Sequence, residues 1–302
     1  MHILATEGLT KRFPTVTALD RLSVTVGSGV TGLVGANGAG KSTLIKILLG
    51  LLPASEGTAK VLDLDVATRG AEIRRFVGYM PEHDCLPPDV SATEFVVHLA
   101  RMSGLPRTAA RERAADVLRH VGLAEERYRA IGGYSTGMKQ RVKLAQSLVH
   151  DPKLIFLDEP TNGLDPRGRD EMLALIRRIG TEFGISVLVT SHLLGELERI
   201  CDHVIVIDAG RLLRSSAIAE FTHATESITV EVEDGAEQLT ARLAELGQTV
   251  TPHGRLLVVK VLGPETFDAV RDAAADLDLG LIRLEQGRHR IEDVFREEAA
   301  HV

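Results

Sequence analysis

The hydrophobic pattern divides the chain into stretches of different period. Leu22, Val24 and Val26 alternate with polar positions, as one face of a half-buried strand does, and Gly27-Ser28-Gly29 supplies the turn after them. Val30 to Val34 is a short apolar run that predicts a buried strand, and a glycine-rich segment follows it. Leu44, Ile45, Leu48 and Leu49 then recur at helical spacing, with Gly50 and Pro53 ending that helix. From about Pro87 to Leu148 the spacing is mostly helical. Phe95, Leu99 and Met102 predict one buried stripe. Ala114, Val117, Leu118 and Val121 predict another, with Arg111, Arg113 and Arg119 on its solvent face. Two further apolar strands, 153–157 and 185–189, flank a helix that starts at Asp165-Pro166, with proline at its first position. A third apolar run, Val204 to Ile207, stops at Asp208-Ala209-Gly210. Strands that alternate with helices predict a parallel α/β sheet.

Beyond about residue 220 the pattern changes. Ile228, Val230 and Val232 alternate up to an Asp234-Gly235 turn, and Leu239, Leu243 and Leu246 then mark a helix. Two strands flank Gly254, a helix carries Phe267, Val270 and Ala274, and a last strand runs near Leu279 to Leu284. That order is β-α-β-β-α-β, the ferredoxin-like arrangement. The expected organisation is a domain over 1–220, with a helical subdomain at about 87–148, and a small accessory domain over 225–302.

Composition narrows the function classes. The chain has 302 residues, 44% hydrophobic and 25% charged, as soluble globular chains do. A net charge of −7 argues against nucleic acid as a partner. Two cysteines, Cys85 and Cys201, give no metal-ligand spacing and no disulfide framework, which fits a reducing cytosol. No apolar run approaches the roughly 20 residues that span a bilayer, so membrane association is expected only through a partner.

The candidate chemistry starts in the glycine-rich segment. Gly35-Ala36-Asn37-Gly38-Ala39-Gly40-Lys41-Ser42, followed by Thr43, fits G-x-x-x-x-G-K-[ST] and lies between a predicted strand and a predicted helix. Glycines let the backbone curl so that N–H groups face phosphate oxygens, and the helix N-terminus adds partial positive charge. Lys41 is placed for the β- and γ-phosphates and Ser42 for Mg²⁺. Asp158 and Glu159 end an apolar strand, where acids face the ligand crevice of a parallel sheet. Asp158 is placed to hold Mg²⁺ and Glu159 to orient the attacking water. The chain has no Asn-Lys-x-Asp guanine-reading motif, which weighs against a GTPase.

Three more segments complete a constellation: Tyr134-Ser135-Thr136-Gly137-Met138-Lys139-Gln140-Arg141, Pro160-Thr161-Asn162-Gly163-Leu164-Asp165 and Thr190-Ser191-His192. In this order, over about residues 3 to 220, they resemble the ATP-binding-cassette (ABC) ATPases. The resemblance implies a P-loop ABC-ATPase fold, with a mixed sheet core and a helical subdomain. It implies that Ser135, Thr136 and Gly137 form a signature loop that meets the ATP held by a second copy of the chain, and that Asp165 communicates across that dimer. It further implies that His192 reaches the γ-phosphate, that Glu82 stands where the family usually has glutamine near Mg²⁺ and the membrane partner, and that Phe13 stacks on adenine.

The spelling departs from the family's usual Leu-Ser-Gly-Gly-Gln, and Glu82 adds a carboxylate beside the phosphates. Both features look like the ABC-2 exporter branch, as does Ile291-Glu292-Asp293-Val294-Phe295 near the C-terminus. The resemblance therefore implies an ATPase on the cytoplasmic face of the membrane, using ATP and Mg²⁺ to drive export through a separate ABC-2 type permease. An ABC ATPase acting on a soluble target, a regulatory subunit and an importer are the alternative readings.

Overall fold

Residues 2–222, 224–263 and 265–288 are described by the structure, a computed structural model. The chain divides into two compact units, 1–218 and 219–302.

The first unit opens with β1 (Leu4–Arg12), β2 (Thr17–Val26) and β3 (Val30–Val34), then α1 (Lys41–Leu48), β4 (Glu56–Val61), β5 (Leu64–Asp65), α2 (Val66–Phe76) and β6 (Val77–Met80). The helices α3 (Ala92–Met102), α4 (Arg107–His120) and α5 (Thr136–Leu148) follow. The unit continues through β7 (Leu154–Asp158), α6 (Pro166–Glu182), β8 (Ser186–Ser191), α7 (Leu194–Ile200), β9 (His203–Asp208) and β10 (Arg211–Ala217). Two sheets result, ordered β2-β1-β4-β5 and β10-β9-β3-β8-β7-β6. The first is antiparallel; in the second, β9, β3, β8, β7 and β6 all run parallel and β10 closes one edge antiparallel.

The burial of each strand explains this arrangement. β3, β7 and β8 are buried at every position, as parallel strands covered on both faces must be. In α1, Leu44, Ile45, Ile47 and Leu48 are all buried, more than one stripe. The helix shares one core with Leu9, Leu19 and Leu22 of the antiparallel sheet and Leu33, Phe156 and Ile205 of the parallel one. That core fixes the helix that follows the glycine-rich loop.

Several details differ from the sequence pattern. The buried face of α3 is Ala92, Val96 and Ala100, while Met102 is 72% exposed. The small residues of α3 and the buried Ala110 and Ala114 of α4 let these touching helices approach closely, so the bulky side chains fall to the flank. Arg113 is half-buried and donates to the carbonyls of Leu148 and Val149, capping the end of α5. Alternation does not reveal β1, because its register shifts between Thr6 and Leu9, nor β10, which is largely exposed.

The second unit is reached through α8 (Ile218–Thr222). It comprises β11 (Ala224–Val232), α9 (Ala236–Glu245), β12 (Val250–His253), β13 (Leu256–Lys260), α10 (Glu265–Asp276) and β14 (Leu281–Arg288). The antiparallel sheet runs β12-β13-β11-β14. Its core joins Ile228, Val230, Val232, Leu257 and Val259 to Leu239, Leu243, Val270 and Ala274 of the helices. Leu246, one residue past α9, is 45% exposed. The stretch Ile291 to Phe295 lies outside the described residues.

One close approach ties the helical segment to the sheet. A Cβ added at Gly78 of β6 would lie 1.9 Å from the carbonyl oxygen of Ser147 in α5. Gly78→Ala is expected to destabilise the first unit by about 2 kcal/mol, by forcing β6 and α5 apart. Urea unfolding measures this, and a change below about 0.5 kcal/mol would contradict the packing of α5 on β6.

Candidate active site

The parallel register sets the site. Val34 of β3 pairs with Ser191 of β8, and Asp158 of β7 pairs with Thr190 of β8, so three neighbouring strands end together. Their following loops border one cavity of about 500 Å³, lined by Asn37, Gly38, Gly40, Lys41, Ser42, Thr43, Glu82, Asp158, Glu159, Asn162 and His192, with Ala18. Ligand crevices of parallel sheets lie at such an edge.

The glycine-rich loop before α1 is built by its backbone. Gly40 caps α1 with φ 102°, and a Cβ there would meet the carbonyl oxygen of Ala18 at 2.4 Å. Only glycine fits both the conformation and the space. The Lys41 ammonium is buried and donates to Gly35 O at 2.7 Å and Ala36 O at 3.3 Å. The amide of Gly210, in the β9–β10 turn, donates to Ala39 O at 3.1 Å and holds the loop from outside. Gly35, Ala36 and Ala39 thus shape the loop that presents the lining residues.

The carboxylates are held just as firmly. Asp158 and Glu159 are buried, and Glu159 has φ 49°, a left-handed conformation that a glutamate occupies only when its surroundings impose it. The Thr190 hydroxyl imposes it. It accepts from Glu159 N at 2.9 Å and donates to Asp158 Oδ1 at 2.8 Å. Glu159 Oε2 lies 2.9 Å from His192 Nδ1, so with Glu159 ionised that nitrogen carries the proton. Glu159 Oε1 is 3.9 Å from Lys41 Nζ and is buried without a hydrogen-bond partner. On the neighbouring strand β6, burial pushes the Tyr79 hydroxyl up to about 12, with the charges of Asp158, Cys85 and Glu82 adding to it.

Glu82 enters from the turn after β6 and accepts from Asn162 Nδ2 at 3.3 Å. Ser42 and Asp158 stand at one cavity as oxygen donors, the chemistry Mg²⁺ uses when phosphates and waters complete its shell. Among the described residues no three His, Cys, Asp or Glu side chains form a metal cluster of their own.

Other expected residues stand elsewhere. Ser135, Gly137 and Asp165 line a separate depression of about 370 Å³ with Met138, Leu164 and Gly168. Ser135 caps α5 by accepting from Met138 N at 3.3 Å, and Asp165 caps α6 by accepting from Gly168 N at 3.0 Å. Thr136 begins α5, and its methyl carbon stands 3.3 Å from where a Cβ on Gly163 would be. Phe13 is 40% exposed under Lys11 Nζ, 5.2 Å from the ring centre, and does not line the first cavity. The sequence pattern does not reveal the roles of Ala18, Thr190 and Asn162. Thr190 was detectable as the polar residue ending a buried parallel strand, whereas Ala18 carries no chemical signal.

The family model described as ABC transporter matches residues 19–162. The daunorubicin/doxorubicin resistance ATP-binding protein of Streptomyces peucetius is 36% identical over 82% of this chain and 76% of its own length. The bacitracin transport ATP-binding protein of Bacillus licheniformis is 38% identical over 70% and 68%. An uncharacterised ABC transporter ATP-binding protein of Bacillus subtilis, YxlF, is 34% identical over 97% and 98%. Among solved structures, the ADP- and phosphate-bound dimeric cassette MJ0796 superposes with TM-score 0.66 at 23% identity, over 71% of this chain and 98% of that one. At that identity the likeness shows the fold.

The Thr190 hydroxyl bridges both carboxylates, so Thr190→Val leaves a buried donor and a buried acceptor unpaired. The expected outcome is a loss of about 1–3 kcal/mol in urea unfolding and of about tenfold or more in ATP turnover. Unchanged values of both would remove Thr190 from the site.

Proposed function

The chain belongs to the ATP-binding subunits of ABC transporters, and on that premise we propose that it hydrolyses ATP to drive export through a separate ABC-2 type permease. The observation that carries the reading is the meeting of Lys41, Ser42, Asp158, Glu159 and His192 at one cavity. Lys41 and the loop amides bind phosphate, and Ser42 and Asp158 hold Mg²⁺, which when bound neutralises charge developing on the phosphates. The unpartnered Glu159 Oε1 accepts a hydrogen bond from the attacking water. His192 fixes the other oxygen and keeps its Nε2 for the γ-phosphate.

The separate depression around Ser135 and Gly137 supports a site completed by a second copy. There, a capped helix N-terminus is available to the partner's bound phosphate. Asp165 lines the same depression and takes part in that interface. Phe13 receives the adenine from the strand hairpin. No helix among the described residues is long and apolar enough to cross a membrane, and the membrane contact is the permease on the cytoplasmic face. Between α3 and α4, Arg101, Arg107, Arg111 and Arg127 line a depression of about 510 Å³, a cationic surface suited to the permease's cytoplasmic segment. The relatives named for daunorubicin/doxorubicin resistance and bacitracin transport support an antibiotic-like cargo.

Lys41→Ala is expected to abolish ATP binding in calorimetry, and normal affinity would sink the phosphate-loop assignment. Glu159→Gln is expected to bind ATP, to lose turnover about 100-fold or more, and to accumulate as a dimer in light scattering. Turnover at the wild-type rate would strip Glu159 of its role. Tagged Glu159→Gln protein taken from detergent-solubilised membranes with ATP should bring a polytopic membrane protein in equal amount by mass spectrometry. Recovery of soluble partners alone would overturn the transport reading.

A further inference from the structure

The turn after β6 brings Glu82 to the phosphate cavity, and α5 clasps that turn along one stripe. Lys139, Lys143 and Gln146, spaced i, i+4 and i+7, share a face of the helix. Lys139 Nζ reaches Asp84 Oδ2 at 3.4 Å, Lys143 Nζ donates to Glu82 O at 2.8 Å, and Gln146 Nε2 donates to Cys85 Sγ at 3.7 Å. One residue along, Gln140 Nε2 donates to Asn162 O at 3.1 Å, and Asn162 in turn donates to the Glu82 carboxylate.

Lys143 is the unusual member. It is 3% exposed, and burying an ammonium is costly unless opposite charge surrounds it. Burial holds its pKa below the ordinary lysine value, opposed by the charges of Cys85, Asp84, Glu82 and Asp158. Among the described residues it makes no direct ion pair, so its charge acts on the group. The cavity needs such a charge. Its described lining sets three carboxylates, Glu82, Asp158 and Glu159, against one lysine, Lys41, where a polyphosphate must sit.

We propose that Lys143 is a positioning residue for hydrolysis: it fixes the main chain at Glu82 and supplies the buried positive charge that lets a carboxylate at position 82 stand beside the nucleotide. The role rests on the ATPase reading above. It predicts that the value of Lys143 depends on the charge at position 82.

ATP turnover and thermal unfolding are measured for wild type, Lys143→Met, Glu82→Gln and the double variant. Lys143→Met is expected to lower kcat about tenfold with glutamate at 82 and less than about threefold with glutamine there. Lys143→Arg, which keeps the charge, is expected to retain most of the wild-type kcat. Equal losses in the two backgrounds, or no recovery with arginine in a protein that unfolds at the wild-type temperature, would overturn the charge role while leaving the ATPase reading intact. A wild type that turns over no ATP would overturn the ATPase reading itself, and this role with it.

Discussion

The side-by-side parallel pairing of β3, β8 and β7 is the constraint on which the rest of the first unit depends. Parallel strands end at the same edge, so the loops that leave them meet at one place. The pairing also requires burial on both faces, which is why α1 sits wedged between two sheets with four buried aliphatic residues. Once α1 is wedged there, the glycine loop before it has little freedom, and the tight contact of Gly40 with Ala18 and the tie from Gly210 to Ala39 remove most of what remains. A shift of β8 by one residue would move Thr190 off Asp158 and Glu159 and release the left-handed glutamate.

Much of this was legible in the sequence because its signals are local. The run Val30–Val34, the glycine loop and the stripe of α1 each declare themselves within a few residues, as do the acids ending β7 and the Asp165-Pro166 start of α6. What was not legible depends on partners far along the chain. The alternation of β1 is broken by its register shifts, and β10 shows little burial because it is an edge strand. Bulk does not mark the buried face of α3, because close helix contact selects alanine there. Within the site, the identities of the acids and of Lys41 could be read. The bridge from Thr190, the bond from Asn162 to Glu82 and the clasp by α5 could not, since each joins segments many residues apart.

The geometry also separates two tasks that the linear motif order runs together. Lys41, Asp158, Glu159 and His192 face one cavity, whereas Ser135, Gly137 and Asp165 face another. The first set is held by hydrogen bonds among its own side chains and loop carbonyls, the second by the caps of Ser135 and Asp165. One chain therefore offers two half-surfaces of different chemistry, a cationic loop and a capped helix end.

The helix α5 belongs to both. Its first residue follows the cap at Ser135, and two turns later Lys143 holds the main chain of Glu82. Such a helix behaves as a lever with two loads, and linkage makes the coupling symmetric. If a partner's nucleotide at the capped end changes the affinity of the chain's own cavity by some factor, occupancy of that cavity must change the affinity of the capped end by the same factor. The same few contacts that seat α5 would then set how strongly two ATP molecules in a dimer sense one another.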